Sequence, residues 1–210
     1  MKHFFFCFCL FCLIFGYLIL SYFHIIPKKS YTNAYFGISD YVSGVDYDGD
    51  GIDDQLDILL GARDYVQTKP KYKSKYYSGG YPNDSYGVCT DVVAFAFLAS
   101  GYHLKEMVSL DIREHPEDYG EDVGDSNIDF RRVRNLNVFF SHHAKILTND
   151  ISAISEWQGG DIVVFPNHIA IVSDKRNKKG ITYIIHHGGQ PVYEEDSLGR
   201  YEIIGHYRFP

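Results

Sequence analysis

Three side chains have the types and placement for nucleophilic acyl chemistry: Cys89, His168 and His186. Cys89 lies in a polar, glycine-bearing turn, Gly87 to Asp91, that runs into the apolar stretch 92–99 and stops at Gly101. That pattern predicts a buried helix beginning at the cysteine. Unpaired N–H groups and the positive dipole end at a helix start favour thiolate over thiol, so a lowered thiol pKa is expected. The plainer reading of such a cysteine is a small buried apolar residue. A cysteine nucleophile needs a base within hydrogen-bond reach and a third group to orient that base. His168 opens the apolar run 168–173, and His186 stands at the end of the next run, which starts at Ile181. In an antiparallel hairpin the start of one strand lies beside the end of its successor. The loop 176–180 can therefore bring the two histidines together. His187 competes for the orienting role, but alternation along a strand points it to the other face.

A second constellation has metal-ligand spacing. Asp46, Asp48 and Asp50 stand at positions one, three and five of a loop, with Gly51 at six. Ile52 offers its carbonyl at seven, Asp54 stands at nine and Asp57 at twelve. This is the spacing of an EF-hand-like calcium loop, followed by a helix over 56–66. Asp at twelve is shorter than the usual Glu, so weak affinity is expected. The competing reading is an acidic turn that caps the helix. His142 and His143 are adjacent, cannot share a helical face, and so argue against a metal site of their own.

The elements that must position these groups follow from the rest of the chain. Its 210 residues carry a formal net charge of −7, which argues against a nucleic-acid partner. Cys7, Cys9 and Cys12 lie in an N-terminal apolar run, leaving Cys89 alone in the remainder. The folded domain therefore has neither an internal disulfide nor a cysteine cluster for zinc. The run 4–26 is long enough to span a bilayer and lacks the features of a cleaved signal peptide, so an uncleaved signal-anchor is expected. The predicted organisation is a membrane segment over 1–29, a linker or domain edge over 30–45, and one domain over 46–210. Helical patterns come first, with one over 129–140. Short apolar runs at 161–165, 168–173, 181–187 and 201–209 follow, separated by turn residues. That order predicts an α+β fold, a strand meander packed on the cysteine-bearing helix. Arg131, Arg132 and Arg134 can pair with nearby acids or recognise a substrate carboxylate.

Taken together, Tyr76-x-x-Gly79-Gly80, Cys89 at a helix start, the run Gly160 to Phe165, the run from His168, and Ile185-His186 resemble the NlpC-type papain-like cysteine peptidases. The fuller set GVCTDVV, NIDFRRV, GDIVVF, HIAIVSD and GHYR resembles an amidase-like bacterial branch of that superfamily. The resemblance implies a papain-like fold with Cys89 as nucleophile, His168 as general base and then acid, and His186 as orienter. It also implies Tyr76 as a residue lining the site near the thiolate. Asp91, Arg131 and Arg132 are the expected substrate-binding residues. The implied activity is hydrolysis of an amide bond in peptidoglycan stem peptides by an extracytoplasmic, single-pass membrane protein. Peptidoglycan or muropeptides and the membrane are the expected partners. Calcium is expected only as a structural ion, with no cofactor for catalysis. The rival readings are a non-catalytic envelope binding module and an acyl transfer on another envelope substrate.

Overall fold

The computed structural model describes residues 2–22, 29–190 and 193–210. Among the described residues the α-helices are, in chain order, α1 (Lys2–Tyr22), α2 (Asp54–Gln67), α3 (Cys89–Ala99), α4 (Leu104–Glu114), α5 (Ser126–Asp129) and α6 (Val133–His143). The strands are β1 (Lys71–Tyr72), β2 (Tyr86–Gly87), β3 (Lys145–Ile146), β4 (Ile162–Phe165), β5 (His168–Arg176), β6 (Thr182–Ile185), β7 (Glu194–Glu195) and β8 (Gly205–Arg208). β1 and β2 form a small parallel pair, and the other six strands form one antiparallel sheet ordered β3-β8-β4-β5-β6-β7. The described residues are thus a mixed fold of helices and an antiparallel sheet.

The sheet is covered on both faces, which is why its strands read as continuous apolar runs rather than as alternation. Ile169 and Ile171 of β5 join a core with Ile58 and Ala62 of α2, Val92 and Phe97 of α3, and Leu136 and Phe140 of α6. Ala170 and Val172 join a second core with Trp157, Val163, Phe165, Ile184 and Leu198. α3 is apolar all round because α2, α4 and β5 all pack on it. Gly61 lets α2 approach α3 closely, since a Cβ there would lie 2.6 Å from the Cβ of Ala99.

The expected meander is corrected at its last strand. β8 does not follow β6 in the sheet; it crosses back to pair with β4 and β3. Asp161 fixes that crossing. Its carboxylate is fully buried and takes Arg208 Nε at 2.7 Å, Arg208 Nη2 at 2.8 Å and Gln55 Nε2 at 3.0 Å. His206, stacked on Trp157 at 3.6 Å between centroids, approaches the same carboxylate at 3.1 Å. The aspartate of GDIVVF and the histidine and arginine of GHYR are therefore one structural unit.

The segment 30–45 is the edge of the domain rather than a linker. Tyr31 bridges to Arg176, and the buried Asn33 donates to Gln158 at 2.9 Å and accepts from Arg176. α2 starts two residues before the predicted helix, with Asp53 as its N-cap. The predicted helix 129–140 divides into the end of α5 and α6. At the N-terminus, α1 presents exposed Phe6, Phe8, Phe11, Leu13 and Leu18. No helix among the described residues is long and apolar enough to cross a membrane. The end of the expected span, 23–26, lies outside the described residues.

Candidate active site

Cys89 is the first residue of α3, as expected, and its place is fixed by a carboxylate two residues on. Asp91 Oδ2 accepts the Val88 N–H at 2.8 Å, while the Asp91 N–H donates to the Val88 carbonyl at 3.1 Å. Asp91 also receives Arg131 Nε at 2.7 Å and Arg131 Nη2 at 2.9 Å. Arg131 Nη1 donates to the Lys75 carbonyl at 2.7 Å. The Asp91 and Arg131 side chains are 0% and 2% exposed. This corrects their expected substrate-binding role: a bidentate pair without solvent contact clamps the helix start and has no surface to offer a ligand. Arg132 is partly exposed and pairs with Asp122 at 2.8 Å. It does not line the cleft described below.

The Cys89 side chain is buried in the core that α3 shares with Ile169 and Ile171 of β5. Burial pushes the thiol pKa up to about 11, outweighing the backbone N–H groups of Ile169, Thr90 and Cys89 itself, which favour the thiolate. The expected lowering is thus reversed, and the resting group is a thiol.

One residue before Ile169, His168 opens β5. Its Nε2 lies 2.7 Å from Nδ1 of His186, and Nε2 of His186 lies 3.1 Å from Oε1 of Glu195. The tautomers follow from donor counting. With His186 neutral and Glu195 ionised, the carboxylate only accepts and the His186 proton sits on Nε2. His186 Nδ1 then accepts, and His168 must donate from Nε2. That leaves Nδ1 as the basic nitrogen of His168. Burial, then the neighbouring His186 and His187, push the His168 pKa down to about 4, so its imidazole is neutral at neutral pH. His187 points away as expected, buried between Tyr72 and Tyr193.

Glu195 was not marked by the sequence. It reaches His186 because β7 pairs with β6 in the register Ile184↔Glu195. Its neighbour Glu194 points elsewhere, to Arg63, Ser173 and Lys175. The two histidines and Glu195 line a cleft of about 540 Å³ with Tyr72, Phe165, Asn167, Gln190, Tyr201 and Glu202. Cys89 is not among its lining residues, and neither is Tyr76. Tyr76 is exposed and accepts a hydrogen bond from Asn127 at 3.2 Å. Tyr72, not Tyr76, lines this cleft.

In the acidic loop, Asp46, Asp48 and Asp50 bring carboxylate oxygens within 4.8 Å of one another. Asp46 organises the turn by accepting the N–H groups of Gly49, Asp50 and Gly51. Asp57 faces Asp50 and Asp48, and burial with those charges pushes its pKa up to about 6. Asp54 is corrected as a ligand: it is buried, with one oxygen taken by the Tyr47 N–H at 2.9 Å and the other by the Tyr102 hydroxyl. Ile52 keeps its place one residue past the turn glycine, Gly51.

Two measurements test this geometry. Arg131→Ala strands a buried carboxylate at the helix start and should cost about 3–5 kcal/mol in urea unfolding. Arg132→Ala should stay within about 0.5 kcal/mol; equal effects would contradict the assigned roles. For His168 the folded pKa lies below the unfolded value, so the unfolded chain binds more protons between the two. Its stabilising contribution is complete above about pH 6.5 and is lost as pH falls toward 4. The wild type should lose up to about 3 kcal/mol relative to His168→Gln across that window. Parallel pH–stability curves would refute it.

Comparison with known proteins places the chain in a family. The family described as a domain of unknown function (DUF1287) matches residues 59–209. The uncharacterized protein YijF of Escherichia coli (strain K12) is 35% identical over 167 residues, covering 73% of this chain and 81% of the relative. No solved structure matches. The matched region runs from α2 to the end of β8 and so contains Cys89, His168, His186 and Glu195; the chain belongs to the DUF1287 family.

Proposed function

We propose that this protein is a cysteine hydrolase with a papain-like core that cleaves an amide bond in peptidoglycan stem peptides. The observation that carries this reading is the aligned series His168, His186 and Glu195, which fixes a basic Nδ1 on His168. The adjacent residue, Ile169, belongs to the same core as Cys89, and its backbone N–H favours the thiolate. With a neutral thiol and a neutral imidazole at rest, attack and proton transfer occur together. His168 Nδ1 takes the thiol proton as sulfur bonds to the amide carbonyl carbon. The oxyanion is held by the Cys89 backbone N–H at the helix start. The tetrahedral intermediate collapses as His168 gives its proton to the leaving amine. Water, deprotonated by His168, then breaks the thioester and releases the carboxylic acid and the thiol. Glu195 orients His186 and, through it, His168.

The apolar run 4–26 and the exposed apolar side chains of α1 support attachment to a membrane, with the domain on the extracytoplasmic side where peptidoglycan lies. Calcium at Asp46, Asp48, Asp50, the Ile52 carbonyl and Asp57 is proposed as a structural ion that stiffens the entry to α2. Extracellular calcium is abundant enough to fill a weak site of this kind.

One observation favours a second reading. Cys89 is 8% exposed and lies outside the cleft lining, as in a binding module that retains the cleft without the chemistry. Mass spectrometry of muropeptides incubated with the full-length protein separates the two. Hydrolysis predicts cleaved stem peptides with the wild type and none with Cys89→Ala. Retained binding without product supports the module. Glu195→Gln should lower turnover while leaving muropeptide affinity unchanged. For calcium, millimolar-order ion should raise the melting temperature of the wild type and not that of Asp50→Ala. An unchanged wild-type melt removes the ion.

A further inference from the structure

Away from the cleft, the ends of two helices converge on one buried carboxylate. Asp111, in the last turn of α4, is 1% exposed. Its Oδ2 lies 2.9 Å from Nδ1 of His142, and its Oδ1 lies 2.8 Å from Nε2 of His143. The Tyr119 hydroxyl donates to the same carboxylate. His115 caps the C-terminus of α4 and stands 5.1 Å from His142 between ring centroids. Ligand atoms of Asp111, His115 and His142 lie within 4.8 Å of one another. None of these residues lines the cleft at His168.

We propose that Asp111, His115 and His142 form a binding site for a divalent transition metal, zinc foremost, which clips the C-terminal ends of α4 and α6 together. Two imidazoles and one carboxylate are the donor set of zinc and its neighbours, whereas calcium and magnesium select oxygen. The adjacency of His142 and His143 does not prevent this, because the second imidazole comes from α4. The metal replaces the proton now shared by Asp111 Oδ2 and His142 Nδ1. Tyr119 and His143 hold the carboxylate in place, the outer support that a metal ligand needs. Asp118 supports His142 in the same way, with a carboxylate oxygen 3.4 Å from Nε2. His115 and His142 lie at the surface, so the ion has a path in and a water completes its shell.

Cobalt(II) reports both affinity and donor type. The full chain is used with Cys7, Cys9 and Cys12 changed to Ser, which removes the N-terminal thiols as competing ligands. One equivalent of cobalt should bind with visible d–d absorption, without a sulfur-to-metal charge-transfer band, and zinc should displace it. His115→Ala and His142→Ala are surface changes, and circular dichroism checks that both variants fold. Each should weaken binding by at least about tenfold, while Asp50→Ala leaves it intact. Absence of saturable binding would overturn the site, leaving the cluster as a proton-bridged network that neutralises Asp111. Binding that survives both histidine changes, or a charge-transfer band, would overturn it as well.

Discussion

A carboxylate removed from water must be paired, and the Asp91–Arg131 pair is the constraint on which the candidate site rests. Isolating such a charge costs several kcal/mol, and only good geometry with further hydrogen bonds offsets it. Asp91 meets that condition through two bonds from Arg131 and one from the Val88 N–H. Arg131 in turn holds the Lys75 carbonyl. A single ion pair thereby ties the approach to α3, its first turn and the end of α5 into one rigid corner. The residues on both sides of Cys89 are held, Val88 by Asp91 and Thr90 by the bond from its hydroxyl to the Arg131 carbonyl at 3.2 Å. Asp161 does the same at the opposite end of the sheet, where Arg208, His206 and Gln55 meet it.

The same burial that makes these pairs strong decides the state of the thiol. A helix start contributes roughly 0.3–2 kcal/mol toward a thiolate, or at most about 1.5 pKa units. Burial of an ionisable group moves its pKa by up to about 3–5 units. The larger effect wins, and the thiol rises to about 11 although the backbone N–H groups of Ile169, Thr90 and Cys89 favour the thiolate. His168 is displaced in the complementary direction, to about 4. The two groups are thus displaced away from a preformed ion pair. The proposed chemistry therefore depends on a transfer made during attack, which places the weight on how well His168 Nδ1 is aimed. Aiming is what the bonds from His168 to His186 and from His186 to Glu195 supply.

Local signals in the sequence carried much of this arrangement. The apolar stretch closed by Gly101 gave α3 its start at Cys89, and Pro166-Asn167 marked the two-residue turn that sets Phe165 opposite His168. The pairing of His168 with His186 followed from hairpin geometry. What was not legible depends on contacts between segments far apart in the chain. Glu195 belongs to a two-residue strand whose register is set by β6, and nothing local separates it from Glu194. Asp54 fits a ligand position by spacing, yet Tyr102, 48 residues away, draws it into the core. Asp91 and Arg131 are polar types that read as surface groups until their burial is known. β8 is legible as a strand, but its place beside β4 is a property of the whole sheet.

These displacements change what the motif residues mean. The aspartate of GVCTD and the first arginine of NIDFRRV form one buried clamp, and GDIVVF with GHYR forms another. Their charges are spent on the fold. No lysine or arginine is among the described residues that line the cleft. A ligand in that cleft would meet the rings of Tyr72, Phe165 and Tyr201, the amides of Asn167 and Gln190, and the carboxylate of Glu202. Such a surface stacks on and hydrogen-bonds neutral peptide groups and tolerates an amine. It offers nothing to offset the desolvation of a substrate carboxylate brought beside Glu202. The motif set is thus a statement about how the corner and the crossing strand are held. The proposed chemistry depends on the residues that those holds leave uncommitted, Cys89 and the basic nitrogen of His168.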